Sequence, residues 1–314
     1  MPDGQPLVAI ITGLPLEYEA VRSLLTGLGE RMVGIALSVE VGELPDSAWQ
    51  VALADVSSTH TPAAILIEDV VRQLRPDALL FIGIAGGLKD TLEVGDLVVA
   101  TKIYAFQGGK QTPEGFYARP QSWHSSYRMT QTARSALRDL PGVHFGAMVA
   151  SDVVLNDERA SLLDQLKRSY NDALAVEMEG AGVAHVAHLT TGLEMLTVRG
   201  ISDVADRSKI PGDPRRAQSL AAARAASAAA AILRKLGPPP RFTATSQATH
   251  IMQSAGDISI RGNTFFNTPR ERSRRTPRPR TTRAPQQPLE PQPSSPPPPT
   301  PHPPAHSASP TPAR

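Results

Sequence analysis

The run Leu79-Leu80-Phe81-Ile82 carries no polar side chain. It lies between a helix-like segment, opened by Thr61-Pro62 and reaching Leu74, and a glycine-rich stretch. A short, continuous apolar run of this kind suits a strand buried on both faces of a sheet. Leu7-Val8-Ala9-Ile10-Ile11 repeats the pattern, as do Val143–Val149, Ala173–Met178 and Met195–Ile201. Residues 33–41 and 49–56 read as a hairpin-like strand pair around Leu44-Pro45-Asp46, and Gly95–Phe106 as a further strand. Helices are expected at Glu17–Leu25 with Pro15 in the first turn, Ser122–Leu140, Asp157–Ser169, Gly180–Leu189 and Pro214–Leu236. Strands alternating with helices imply an α/β chain, a three-layer α/β/α sandwich around a central mixed twisted sheet. Ligands of such sheets sit beyond strand ends, so the segments after Ile11, Ile82, Val149, Met178 and Ile201 are where chemistry is expected.

The pattern stops at Gly237, which is followed by Pro238-Pro239-Pro240. Beyond it lie 19 of the 30 prolines, 10 of the 32 Lys and Arg, and only 3 of the 30 Asp and Glu. We therefore expect three segments. Residues 1–237 form the folded domain, net −5. Residues 238–268 are a proline linker and a Ser/Thr/Gly/Asn-rich stretch whose alternation at Asp257–Arg261 suits a short β-arch. Residues 269–314 are Pro-, Arg- and Ser-rich, too poor in apolar area to fold alone, and are expected to be disordered and partly polyproline II. The arginines from Arg270 to Arg283 read as a solvated basic linker, so no nucleic-acid partner is expected. A protein recruited by the tail stays open.

The chain has no cysteine, which excludes disulfide scaffolds, zinc fingers and thiol nucleophiles. No histidine pair has convincing metal spacing, and no cofactor or metal is expected. Met1–Gln5 has no basic region ahead of an apolar core, and Ser219–Leu233 is too alanine-rich for a membrane span. A cytoplasmic protein with no membrane partner is the expectation.

Carboxylates stand at three strand ends. Glu17 follows Ile10-Ile11-Thr12-Gly13. Glu177 and Glu179 flank Met178. Asp203 ends Val198-Arg199-Gly200-Ile201-Ser202-Asp203. A glycine turn, Gly83-Ile84-Ala85-Gly86-Gly87-Leu88, follows the buried strand and would let backbone approach a ligand closely. A carboxylate at a buried strand end is costly unless it has a partner or a task.

Taken in order, Gly83–Leu88 with Val94-Gly95-Asp96-Leu97-Val98-Val99, then Val176-Glu177-Met178-Glu179, then Val198–Asp203 resemble the purine nucleoside phosphorylase/nucleosidase superfamily. Residues 7–236 are most similar to its methylthioadenosine/S-adenosylhomocysteine nucleosidases. The resemblance implies the nucleoside phosphorylase-like fold and a homodimer or higher homo-oligomer formed through the core. It also implies cleavage of the N-glycosidic bond of a purine nucleoside or nucleotide. In that reading Asp203 protonates N7 of the base, Glu179 grips the ribose hydroxyls, and Glu17 positions the attacking water with Arg199 nearby. Met178 packs on the sugar, and Ala85 and Gly86 line the base. Val154, Leu155, Ser202 and Glu177 complete the substrate-binding set, with Ser202 supporting Asp203 and Glu177 more structural than catalytic.

Three departures from that pattern bear on the substrate. Ile84 stands where the nucleosidases usually have serine and where phosphorylases use serine to hold phosphate, which favours hydrolysis. Val154 replaces an aromatic that often stacks on the purine. Ser57-Ser58-Thr59-His60-Thr61 replaces a glycine-rich turn that shapes the 5′ pocket, and Gln107-Gly108-Gly109-Lys110 would suit a larger or anionic 5′ group. Two other readings remain open at this point: a phosphorylase using phosphate as nucleophile, and a nucleotide-sensing module whose tail recruits partners.

Overall fold

The computed structural model describes residues 5–34, 37–56, 60–106, 108–113, 115–151, 161–204 and 213–238. All of them lie in the first of the chain's two units, Met1–Gln247. The expected segments 238–268 and 269–314 lie outside the described residues except for Pro238. So do Val154, Leu155, Ser57–Thr59 and Gln107.

Among the described residues twelve strands and six helices follow in order: β1 (Leu7–Thr12), α1 (Pro15–Arg22), β2 (Thr26–Val33), β3 (Leu37–Glu43), β4 (Gln50–Asp55), α2 (His60–Leu74), β5 (Ala78–Gly87), β6 (Leu97–Ala105), β7 (Gly109–Thr112), β8 (Gly115–Ala118), β9 (Gln121–His124), α3 (Tyr127–Ala136), β10 (Val143–Ala150), α4 (Ser161–Ser169), β11 (Ala173–Glu177), α5 (Gly180–Leu189), β12 (Glu194–Val204) and α6 (Pro214–Lys235). Ten strands form one mixed sheet in the order β11-β10-β6-β12-β5-β1-β4-β3-β2, with β9 on β6. β1, β4, β5 and β12 run parallel, whereas β12 meets β6 antiparallel. The far end of β5 also pairs antiparallel with β11, Gly86 opposite Val176 and Gly87 opposite Ala175. That second pairing closes β5, β12, β6, β10 and β11 into a ring.

Side-chain alternation divides the apolar strands between two cores. Ala9, Ile11, Leu79 and Phe81 face one core, with Ile67 and Val70 of α2 and Val183 and Ala184 of α5. Val8, Ile10, Leu80 and Ile82 face the other, with Val21 of α1, Met129 of α3 and the alanine face of α6. The expected three-layer α/β/α sandwich is therefore present. The alanines of α6 are explained by Gly200 on β12, where a Cβ would overlap the Ala221 carbonyl. Only small side chains allow a helix backbone that close to a strand. Asp213 caps the helix, accepting from Arg215 N at 3.0 Å, and Pro214 occupies its first turn.

Several expected boundaries are corrected. The helix expected over Ser122–Leu140 begins only at Tyr127, because Gln121–His124 pairs with β6, Ile103 opposite Trp123. Ser126 exchanges hydrogen bonds with Met195, its N donating to Met195 O and its Oγ accepting from Met195 N. Chain bound in this way to β12 cannot enter a helix earlier. Strand β2 was not expected. It is a largely exposed edge strand with two glycines, so no apolar period marks it. The β7–β8 hairpin, a separate two-stranded sheet, was also unmarked. Residues Gly83–Gly87 are not a turn but the continuation of β5, held in register by β12 on one side and β11 on the other. Strand β12 likewise runs on through Asp203, with a register shift at Ser202.

Candidate active site

The ends of β1, β5, β11 and β12 meet at a group of ionisable side chains. Glu17 lies in the first turn of α1, where the residue ahead of the helix, Leu14, has no side-chain acceptor. The carboxylate of Glu17 reaches back instead. Its Oε2 accepts from Gly13 N at 2.8 Å and Leu14 N at 3.0 Å, and its Oε1 from Ile84 N at 2.7 Å. Glu17 is 3% exposed, and burial raises its pKa above the usual carboxylate range despite the nearby Arg199 and three N–H donors.

Arg199, on β12, is 1% exposed. Its Nη2 donates to Glu177 Oε2 at 2.8 Å, and its Nη1 stands 3.8 Å from Glu17 Oε1. The guanidinium lies over the Phe81 ring, 3.7 Å from the centroid, an arrangement favourable for a desolvated cation. Its Nε is buried without a hydrogen-bond partner among the described residues. The two oxygens of Glu177 also accept from Gly180 N at 3.0 and 2.9 Å, and Oε2 from Glu179 N at 3.1 Å.

Glu179 immediately precedes α5, and its carboxylate lies against Gly13, whose Cβ position is 3.2 Å from Oε2. Burial pushes the Glu179 carboxyl up to about 7; Arg199 opposes the rise, and Glu177 and Glu17 add to it. Asp203 sits across the strand pair from Gly86, with Oδ1 2.9 Å from the Gly86 Cβ position. Ser202 donates to Ala85 O at 3.4 Å, so its hydroxyl is bonded to the neighbouring strand. Ala85 is buried, and Gly86 and Met178 are half-buried.

Glu17, Glu177, Glu179 and Arg199 are thus brought together, with Ala85, Gly86, Ser202 and Asp203 on the adjoining β5–β12 edge. Phe81 was not singled out from the sequence. Only the register that sets Gly83 opposite Arg199 and Phe81 opposite Thr197 puts its ring under the guanidinium. Among the described residues no cluster of three or more His, Asp or Glu is arranged to hold a metal, and no helix is long and apolar enough to cross a membrane.

The profile of a known family, the phosphorylase superfamily, matches residues 7–236. The chain belongs to the phosphorylase superfamily. Its match within that superfamily to the 5′-methylthioadenosine/S-adenosylhomocysteine nucleosidase of Actinobacillus succinogenes is 30% identical over 206 residues, 63% of this chain and 86% of the relative. Solved structures of such nucleosidases share the fold. The S-adenosylhomocysteine nucleosidase of Streptococcus pyogenes, in complex with 5-methylthiotubericidin, superposes with a TM-score of 0.66 at 21% identity, covering 76% of this chain and all of that one. The 5′-methylthioadenosine/S-adenosylhomocysteine nucleosidase of Neisseria meningitidis, in complex with methylthio-immucillin-A, gives a TM-score of 0.63 at 24% identity, covering 73% and 99%. Superfamily membership and fold, as expected from the three motifs, hold for the core.

Proposed function

We propose that this chain hydrolyses the N-glycosidic bond of a purine nucleoside or nucleotide and releases the free base. The observation that carries the choice of hydrolysis is the position of the Glu17 carboxylate. It takes up Gly13 N, Leu14 N and Ile84 N and faces Nη1 of Arg199, whose Nη2 is held by Glu177. A phosphate nucleophile would need such N–H donors and such a cation for itself. With two carboxylates already on them, a dianion would meet repulsion, whereas a neutral water would meet a base. Ile84 adds no hydroxyl to change that balance.

In this mechanism Asp203 donates a proton to N7 as the C1′–N9 bond breaks. Glu179, ionised, faces the ribose hydroxyls and stabilises the positive charge developing on the sugar. The water oxygen bonds to C1′ and its proton passes to Glu17, whose raised pKa suits a base. Met178 packs on the sugar, and Ala85 and Gly86 line the base. A homodimer or higher oligomer through the core, a cytoplasmic location and a tail-recruited protein partner belong to the same proposal.

The test is a panel of purine nucleosides and their 5′-phosphates assayed for free base and free ribose sugar, with and without inorganic phosphate. Base release at equal rates in both conditions, with free sugar as co-product, is expected. Release that requires phosphate and yields a sugar 1-phosphate would overturn hydrolysis.

A further inference from the structure

We propose that Glu177 is a positioning residue that acts through two neighbours, clamping Arg199 toward Glu17 and opposing the charge of Glu179. The inference rests on the reading above and revises one part of it, the place of Glu177 among the substrate-binding residues. Glu177 is buried, and both of its oxygens are committed to protein donors.

Part of that commitment has a structural purpose. The carboxylate accepts from the N–H groups of Glu179 and Gly180 and so satisfies the start of α5, where a negative charge is favourable. Capping alone does not explain why Oε2 also takes Arg199 Nη2 at 2.8 Å. Among the described residues this is the one hydrogen bond the guanidinium makes. Nη1 is 3.8 Å from Glu17, beyond hydrogen-bond distance, and Nε has no partner. The Phe81 ring, its centroid 3.7 Å from the guanidinium carbon, offers no directional acceptor that would set which way its nitrogens point. Glu177 supplies the directional contact that points Nη1 at Glu17. It therefore ties the β11–α5 junction, which carries the sugar-facing Glu179, to the β1–α1 junction, which carries the water-facing Glu17.

The second effect is electrostatic. Glu17 of α1 and Glu177 of β11 pair with the Arg199 guanidinium of β12, and the Glu179 carboxylate ahead of α5 lies beside them, against the Gly13 whose N donates to Glu17. Glu179 feels all three of the others, with Arg199 favouring its ionised form and Glu177 and Glu17 disfavouring it. The charge of Glu177 thus holds back the ionisation that Glu179 needs in order to stabilise a cationic sugar.

The test uses the full chain and three variants, Glu177→Gln, Glu177→Asp and Glu179→Gln, each checked for folding by thermal unfolding. Carbon-13 NMR of glutamate-labelled protein follows the Glu179 carboxyl, assigned by its loss in Glu179→Gln. In the parent it should titrate near 7, and in Glu177→Gln at clearly lower pH. An unmoved titration would overturn the electrostatic half. On a substrate found in the panel above, Glu177→Gln should lower kcat by about tenfold to 10²-fold, the scale of a misplaced catalytic contact, with little change in KM and with the acid limb of the rate profile moved to lower pH. Glu177→Asp keeps the charge but not the reach. It should lose kcat while the Glu179 titration stays near that of the parent, and parental kcat in this variant would overturn the clamp. Should Glu177→Gln not fold, Glu177→Asp alone decides the clamp, and Arg199→Lys, which keeps the charge but not the fork, must show the same kcat loss. The two levels fail separately. A parent that releases no base overturns the nucleosidase reading, while the NMR titration still decides whether Glu177 governs Glu179.

Discussion

Gly83 of β5 and Arg199 of β12 are cross-strand partners so close that a Cβ on Gly83 would overlap Arg199 Nη1. The same Cβ would also overlap the Glu17 carboxylate. A side chain at this position therefore forces apart the two groups on which hydrolysis is proposed to depend. Gly83→Ala should destabilise the core by about 1–3 kcal/mol, the usual cost of overpacking. It should also lower kcat more than KM, read by thermal unfolding and base release on the same preparation. A variant with parental stability and rate would mean that Arg199 and Glu17 have room to separate without consequence.

The acid is tested at Asp203. Asp203→Asn should cut turnover on the order of 10²-fold or more, because a positioned general acid supplies about that much. Asn keeps the shape beside Gly86, so the thermal midpoint should stay near that of the parent. Base release at the parental rate would remove Asp203 from the mechanism.

What the sequence made legible follows from burial. Leu79–Ile82 and Leu7–Ile11 could be read as strands because a sheet covered on both faces needs no polar alternation. Their split between two cores shows the reason. Glu17, Glu179 and Asp203 drew attention because charge at the end of an apolar strand is anomalous. Strand β2 gave no such signal, because an exposed edge strand buries almost nothing. Phe81 and the bonds of Glu177 were hidden for another reason. Phe81 looks like any core aromatic, and its place under Arg199 depends on the register between β5 and β12. The glycine stretch after Ile82 resembled a turn because its second partner, β11, lies almost ninety residues further along the chain.

Glu179 ties rate and stability to pH with opposite signs. Its carboxyl is raised from an ordinary 4.5 to about 7, chiefly by burial. Between those values the unfolded chain has released this proton while the folded chain keeps it. Its contribution to stability is thus fullest below about 4.5 and is lost as pH rises toward 7. The ionised form is the one proposed to stabilise the sugar cation, so kcat/KM should climb over the same interval. Profiles of rate and of Tm from pH 4.5 to 8 should show both trends in the parent, and Glu179→Gln should reduce both to the part that Glu17 contributes while lowering the rate throughout. A parental rate constant across that range would sink the ribose assignment.

Removal of residues 243–314 should leave a folded core with the parental rate of base release. The last helix is fastened by atoms that the truncated chain retains. Trp49 is fully buried, and its Nε1 donates to Leu236 O at 2.6 Å. Arg128 donates to Gly237 O at 2.9 Å while its Nε bonds both oxygens of Glu194 at 2.9 and 3.0 Å. Trp49 directly precedes β4 and Glu194 opens β12, so the chain leaves the core beside the starting end of β12, whose far end holds Asp203. Ala225, Ala229, Ile232 and Leu233 of α6 are buried in one core with Val8, Ile10, Val51 and Leu80 of the sheet. Trp49→Phe in the truncated chain supplies the control. It leaves the Leu236 carbonyl without its donor and should cost about 1–3 kcal/mol, yet leave kcat unchanged. Limited proteolysis should clip the full chain at or after Gly237 and release the same active core. A truncated chain that is insoluble, or folded but inactive, would move the domain boundary toward the C-terminus and give the tail a part in the fold or in the site.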